Sequence, residues 1–127
     1  MTKPKKHILV VEDDVTLNDA FSTVLAKEGF RVSRAFNGQE ALGLLESEPA
    51  DLILLDIIMP VMDGEEFLKR YNPRAKQVPV VVFSNLDSQN SIDKVYELGA
   101  AHYMLKAWAS PKELISMVKR LLSSKHN

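Results

Sequence analysis

Three times in this chain, four apolar residues in a row with no polar residue among them stop at a side chain that carries charge or a hydroxyl: ILVV before Glu12, LILL before Asp56 and VVVF before Ser84. Such a run is too short for a free-standing helix and lacks the alternation of a strand with one wet face. It describes a strand buried on both faces, as in a parallel sheet covered by helices. Between the runs the pattern turns helical. Leu17, Phe21, Val24 and Leu25 follow Asp14 at helical spacing, with Gly29 as the stop. Asn37 and Glu40 have capping-box spacing ahead of Ala41, Leu44 and Leu45. Phe67, Leu68 and Tyr71 mark a third helix that must break before Pro73, and residues 72–78 read as a polar connection. Ile92, Val95 and Tyr96 give a fourth helix, stopped by Gly99. Ser110, Pro111 and Glu113 open a fifth, whose buried stripe is Leu114, Met117, Val118, Leu121 and Leu122.

Residues 30–34 alternate in character and suit a more exposed strand, and residues 102–105 form a last strand ending in Lys106. Strand followed by helix, five times over, calls for an α/β doubly wound parallel sheet of five strands with five helices. Right-handed crossovers make the flavodoxin-like order 2-1-3-4-5 the expected topology. At 127 residues the chain makes one domain, expected over residues 7–124 between a basic tail, 1–6, and a short C-terminal tail, 125–127. It has no cysteine, so disulfides and thiolate metal sites are excluded. The apolar runs are far short of a membrane span, and no signal-peptide core follows the N-terminal lysines, so a soluble cytoplasmic protein without membrane contact is expected. A net charge of −1 argues against a strong electrostatic drive toward nucleic acid, and no direct nucleic-acid binding is expected.

In a parallel sheet the C-terminal strand ends share one rim, the edge where open α/β folds bind ligands. That rim collects Glu12, Asp13, Asp56, Ser84 and Lys106. Each has an ordinary reading alone: Asp56 as a cap, Glu12 to Asp14 as a solvated helix start, Ser84 as a turn hydroxyl, Lys106 as a surface cation. Together they form three repelling carboxylates, relieved most cheaply by a hard cation with oxygen ligands, plus an ammonium and a hydroxyl suited to phosphate oxygens. Mg²⁺ fits, with Mn²⁺ as a substitute ion. The three histidines, His7, His102 and His126, form no acid–base or metal constellation and read as structural or solvated.

The segments ILVVEDD, LLDIIMPVMDG, VVVFSN and HYMLK, in that order and spacing, resemble the motifs of the receiver domains of two-component response regulators. The resemblance covers essentially the whole chain. It implies Asp56 as phosphoacceptor, taking a phosphoryl group from a sensor histidine kinase, a histidine phosphotransfer protein or a small phosphodonor. It implies Asp13, Asp56 and the Ile58 carbonyl as direct Mg²⁺ ligands, with Glu12 acting through water. Lys106, Ser84 and the backbone amides of Ile58 and Asn85 would hold the phosphoryl oxygens. Ser84 and Tyr103 would form the switch, read out on the face of the fourth helix, fifth strand and fifth helix by a downstream protein effector, as a monomer or as a weak homodimer on phosphorylation. Such a protein is a phosphoacceptor catalysing its own phosphorylation and dephosphorylation, not a turnover enzyme.

Two departures from that family's pattern carry expectations. Ala107, followed by Trp108 and Ala109, stands where proline is usual after the lysine. A non-proline cis peptide costs about 2.5–4 kcal/mol, so a trans Lys106–Ala107 bond and a reshaped loop that could move Lys106 are expected. Ile58 and Leu86, two residues after Asp56 and Ser84, are apolar and cannot orient a hydrolytic water, so a long-lived phosphoaspartate is expected. The chain ends soon after its last helix, with no room for a DNA-binding output domain unless it is the excised receiver of a longer DNA-binding regulator. A degenerate receiver acting as a phosphorylation-independent binding module is the main alternative. A phosphohydrolase would need a second acid where Ile58 stands, and a flavodoxin would need phosphate-friendly groups where Glu12 to Asp14 stand.

Overall fold

The computed structural model describes residues 4–85, 89–106 and 110–124, with residue 124 as backbone only. Five parallel strands, β1 (His7–Val11), β2 (Arg31–Ala35), β3 (Leu52–Leu55), β4 (Val80–Ser84) and β5 (His102–Leu105), form one sheet in the order 2-1-3-4-5. The helices are α1 (Val15–Lys27), α2 (Gly38–Ser47), α3 (Gly64–Tyr71), α4 (Pro73–Lys76), α5 (Gln89–Glu97) and α6 (Pro111–Ser124).

The period of two along each strand splits the core. Leu9, Val11, Ile53, Leu55, Val80 and Val82 face a cluster with Ala41, Phe67, Leu68 and Val95, which places α2, α3 and α5 on that side. Ile8, Val10, Leu52, Leu54, Val81 and Phe83 face Leu25, Leu114, Val118 and Leu122, which places α1 and α6 on the other. Both faces of β1, β3 and β4 are therefore dry, as their unbroken apolar runs require. β2 lies at an edge, partly exposed, in keeping with its alternating sequence.

Side chains cap the starts of α1, α2, α3 and α6. Asp14 Oδ1 accepts from the Leu17 amide at 3.1 Å, Asn37 Oδ1 from Glu40 at 2.8 Å, Asp63 Oδ1 from Glu66 at 2.9 Å and Ser110 Oγ from Glu113 at 3.2 Å. Gly29 and Gly99, at φ 95° and 104°, follow α1 and α5 in the conformation that favours glycine after a helix.

The sequence predicts five helices and the described residues form six, because the segment read as a polar connection contains α4. Its four residues show no apolar period; the turn forms because Pro73 occupies its first position and Asn72 and Gln77 adopt left-handed backbone on either side. Arg74 of α4 donates to the carbonyls of Glu97 at 2.8 Å and Tyr96 at 2.9 Å, satisfying the C-terminal end of α5. The expected readout face is accordingly α5, β5 and α6. At the opposite end of the sheet, His7 is buried, its Nδ1 donating to the Pro49 carbonyl at 2.8 Å and its Nε2 2.7 Å from Ser33 Oγ. That is a structural role. The Leu86 side chain, the Lys106–Ala107 bond and His126 lie outside the described residues.

Candidate functional site

The acidic rim is built by register. Val11 of β1 pairs with Leu55 of β3, so the next residues, Glu12 and Asp56, leave the sheet side by side. The Asp56 amide donates to the Val11 carbonyl at 3.0 Å, and the Glu12 amide to the Ala35 carbonyl at 3.1 Å, carrying the ladder one residue past the strands. After Asp56 the chain folds back under tight control. Ile57, Met59 and Met62 point inward, while Ile58 and Val61 are 59% and 79% exposed. Val61 sits at φ 68°, costly for a β-branched residue, inside a turn closed by the Met62 amide on the Pro60 carbonyl at 2.7 Å. Gly64 then starts α3 so close to Asp56 that an added Cβ would lie 2.7 Å from the Asp56 carbonyl oxygen and from Ile57 Cα. The Gly64 amide bonds the Ile57 carbonyl at 2.8 Å.

Asp56, 5% exposed, is held at both oxygens. Oδ1 accepts from the Ile58 amide at 3.3 Å and Oδ2 from Lys106 Nζ at 3.1 Å. The same ammonium lies 2.6 Å from Glu12 Oε1, and Glu12 Oε2 accepts from the Asp14 amide at 3.1 Å. Asp13 is exposed beside them, and one carboxylate oxygen from each of Glu12, Asp13 and Asp56 lies within 4.8 Å of the others. Lys106 is therefore shared between two nearly buried acids.

Burial pushes the Glu12 carboxyl up to about 7, the Asp56 charge adding to the effect and the bonds from Lys106 and the Asp14 amide opposing it. For Lys106 burial favours the neutral form, but the bonds to Glu12 and Asp56 outweigh it and the ammonium titrates above its ordinary value. Three acids around one ammonium leave an excess of negative charge in an all-oxygen donor set. The cluster can hold a metal, and its chemistry suits a hard divalent cation.

Ser84, fully buried, ends the neighbouring strand β4, and Asn85, exposed, follows it. Tyr103 lies further back on β5, opposite Val82, its ring packed against the α2–α3–α5 cluster and its hydroxyl oxygen shielded from solvent. Its backbone amide donates to the Tyr96 hydroxyl of α5 at 3.1 Å. Of the residues singled out in the sequence, Glu12, Asp13, Asp56, Lys106 and the Ile58 amide thus meet at one point, and Ser84, Asn85 and Tyr103 are placed beside them by strand order.

The sequence reading passed over Asn18. This fully buried side chain in α1 donates from Nδ2 to the carbonyls of Glu12 and Ala35, both at 3.0 Å. The signal was present: Asn18 and Ser22 precede Leu25 at helical spacing, so a polar pair occupies part of the stripe that faces the core.

The sequence model of the response regulator receiver domain matches residues 8–119. The chain belongs to that family. This receiver is 38% identical over 117 residues to the sensory transduction protein RegX3 of Mycolicibacterium smegmatis, a match covering 91% of the receiver and 50% of that protein. It is 37% identical over 119 residues to the alkaline phosphatase synthesis transcriptional regulatory protein PhoP of Bacillus subtilis, covering 92% and 48%. The receiver spans about half the length of these curated relatives. Among solved structures it superposes on a CheY-like response regulator receiver domain protein from Methanospirillum hungatei JF-1 with a TM-score of 0.91 and 28% identity, covering 97% and 98% of the two chains. No helix among the described residues is long and apolar enough to cross a membrane.

Proposed function

We propose that this receiver is a phosphorylation switch whose acceptor is Asp56. The observation that carries the reading is the Asp56 carboxylate itself. It is 5% exposed, fixed between Lys106 Nζ and the Ile58 amide, and adjoins two further acids that no acceptor-free surface site would need. An Asp56 oxygen attacks the phosphorus of a phosphohistidine on a sensor kinase or phosphotransfer protein, or of a small phosphodonor. The new P–O bond makes an acyl phosphate, the P–N bond breaks, and the departing imidazole takes up a proton. Lys106 neutralises the charge that arrives, and the Ser84 hydroxyl with the Ile58 and Asn85 amides holds the phosphoryl oxygens. Positioning and charge compensation are the whole of the catalysis.

Asp13, Asp56 and the Ile58 carbonyl would hold Mg²⁺ directly, with Glu12 acting through water. When bound, the ion would supply the positive charge that lets an anionic carboxylate meet an anionic donor. The switch is Ser84 and Tyr103, and the readout face is α5, β5 and α6, presented to a downstream protein effector. The bond from the Tyr103 amide to the Tyr96 hydroxyl supports this, since it ties β5 directly to α5. With a formal charge of −1 the receiver itself has no strong pull toward nucleic acid, so its partners are proteins. The folding unit is residues 7–124, working in the cytoplasm.

The test is chemical. After incubation with Mg²⁺ and acetyl phosphate, borohydride reduction of an aspartyl phosphate leaves homoserine at position 56, read by peptide mapping. Reduction at another carboxylate, or at none, would remove Asp56 as the acceptor.

A further inference from the structure

We propose that Asn18 is a positioning residue for the metal-binding acids, locked in orientation by Arg34. The inference rests on the receiver reading above, and concerns residues outside the set of acids, lysine and hydroxyl that define it. Asn18 is fully buried, and both ends of its amide are used. Its two N–H groups reach the carbonyl oxygens of Glu12 and Ala35 at 3.0 Å each. Its Oδ1 accepts from the Ser22 hydroxyl and from Arg34 Nε, both at 3.1 Å.

The direction of the amide is decided by its partners. Carbonyl oxygens only accept and a guanidinium only donates, so the NH2 must face Glu12 and Ala35 and the oxygen must face Arg34. Arg34 is itself anchored, with Nη1 3.2 Å from Asp19 Oδ1. The Ala35 carbonyl takes the Glu12 amide as well as Asn18, so one side chain closes the last rungs between β1 and β2. That closure lies at Glu12, immediately before Asp13, where the backbone leaves the sheet. Nothing else described crosses from α1 to this carbonyl. The Glu12 side chain, by contrast, is tied by Lys106 and the Asp14 amide, so the backbone and the carboxylate of the same residue have separate supports.

Without Asn18 the strand end keeps its sequence and charge but loses the brace that sets where two of the three carboxylates begin. The cost appears in metal binding. Removal of a comparable supporting hydrogen bond at metal sites weakens affinity by roughly 10–100-fold.

Titration calorimetry with Mg²⁺ alone on the native chain, Asn18→Ala and Arg34→Met tests this, each variant first checked for native circular dichroism. We expect roughly tenfold or greater loss of Mg²⁺ affinity in Asn18→Ala. A smaller loss is expected in Arg34→Met, which removes only the orienting donor and leaves the buried amide to hold the fold. In phosphorylation by acetyl phosphate, both losses should appear as a higher Mg²⁺ requirement with an unchanged rate at saturating Mg²⁺, a split that general destabilisation would not produce. Unaltered Mg²⁺ affinity in folded Asn18→Ala overturns the proposal. If Asn18→Ala does not fold, unaltered affinity in Arg34→Met does so instead. A native chain that takes up no Mg²⁺ would overturn the phosphorylation-switch reading, and this inference with it.

Discussion

The metal-free receiver is destabilised by its own site, and pH exposes by how much. Glu12 is 3% exposed, and burial lifts its carboxyl from the ordinary 4.5 to about 7 in the folded chain. A raised carboxyl pKa means that the folded state holds a proton that the unfolded chain has already released. Stability is therefore complete below the unfolded value and is lost as pH rises through the folded one. Each unit corresponds to about 1.4 kcal/mol, so ionising Glu12 removes about 3 kcal/mol between about pH 4.5 and 7. Glu12→Gln keeps the shape and abolishes the ionisation. Urea unfolding in chelator at about pH 5 and about pH 8 should show the native chain losing about 2–3 kcal/mol more than the variant across that interval. The variant should consequently be the more stable of the two at the higher pH. If both lose the same amount, the Glu12 carboxyl is not desolvated as its burial implies and the electrostatic account of the site fails.

Three further outcomes are expected. Gly64→Ala places a methyl 2.7 Å from the Asp56 carbonyl and Ile57 Cα, backbone that yields only by moving the loop that follows Asp56. Urea unfolding should show a loss of about 1–3 kcal/mol, with slower phosphorylation of what remains folded. Ile58→Asn combined with Leu86→Glu should shorten the phosphoaspartate lifetime, followed by intact mass after removal of donor; equal decay in both proteins would end the idea that apolar flanks protect it. Arg74→Ala unties two carbonyls at the C-terminal end of α5, so hydrogen exchange in residues 89–99 should accelerate about five- to tenfold, equivalent to about 1 kcal/mol. Unchanged exchange there would show that Arg74 does not hold α5.

The fold was legible where a single residue type decides a local state. Apolar runs such as LILL placed β3 to the residue, and Asn37 with Glu40 announced the start of α2 correctly. The strand order followed from alternation and crossover handedness, and strand order in turn brought Glu12, Asp13, Asp56 and Lys106 to one point. What was not legible depends on partners distant in sequence. α4 exists because Arg74 bonds carbonyls 22 and 23 residues away and because Asn72 and Gln77 accept left-handed backbone, neither of which has an apolar signature. Asn18 was only half legible for a related reason, since its place on the stripe with Leu25 shows in the spacing but its acceptors, the carbonyls of Glu12 and Ala35, do not. The sharing of Lys106 between Glu12 and Asp56 also needed coordinates, because the sequence assigns that lysine to phosphoryl oxygens.

The central claim is that Asp56 accepts a phosphoryl group with Mg²⁺ held beside it. Intact mass after incubation with acetyl phosphate tests it most directly, comparing the native chain with Asp56→Ala, each with Mg²⁺ and with chelator. The account predicts a single phosphoryl adduct on the native chain with Mg²⁺ and in none of the other three samples. An adduct on Asp56→Ala, or one indifferent to chelator, would contradict it.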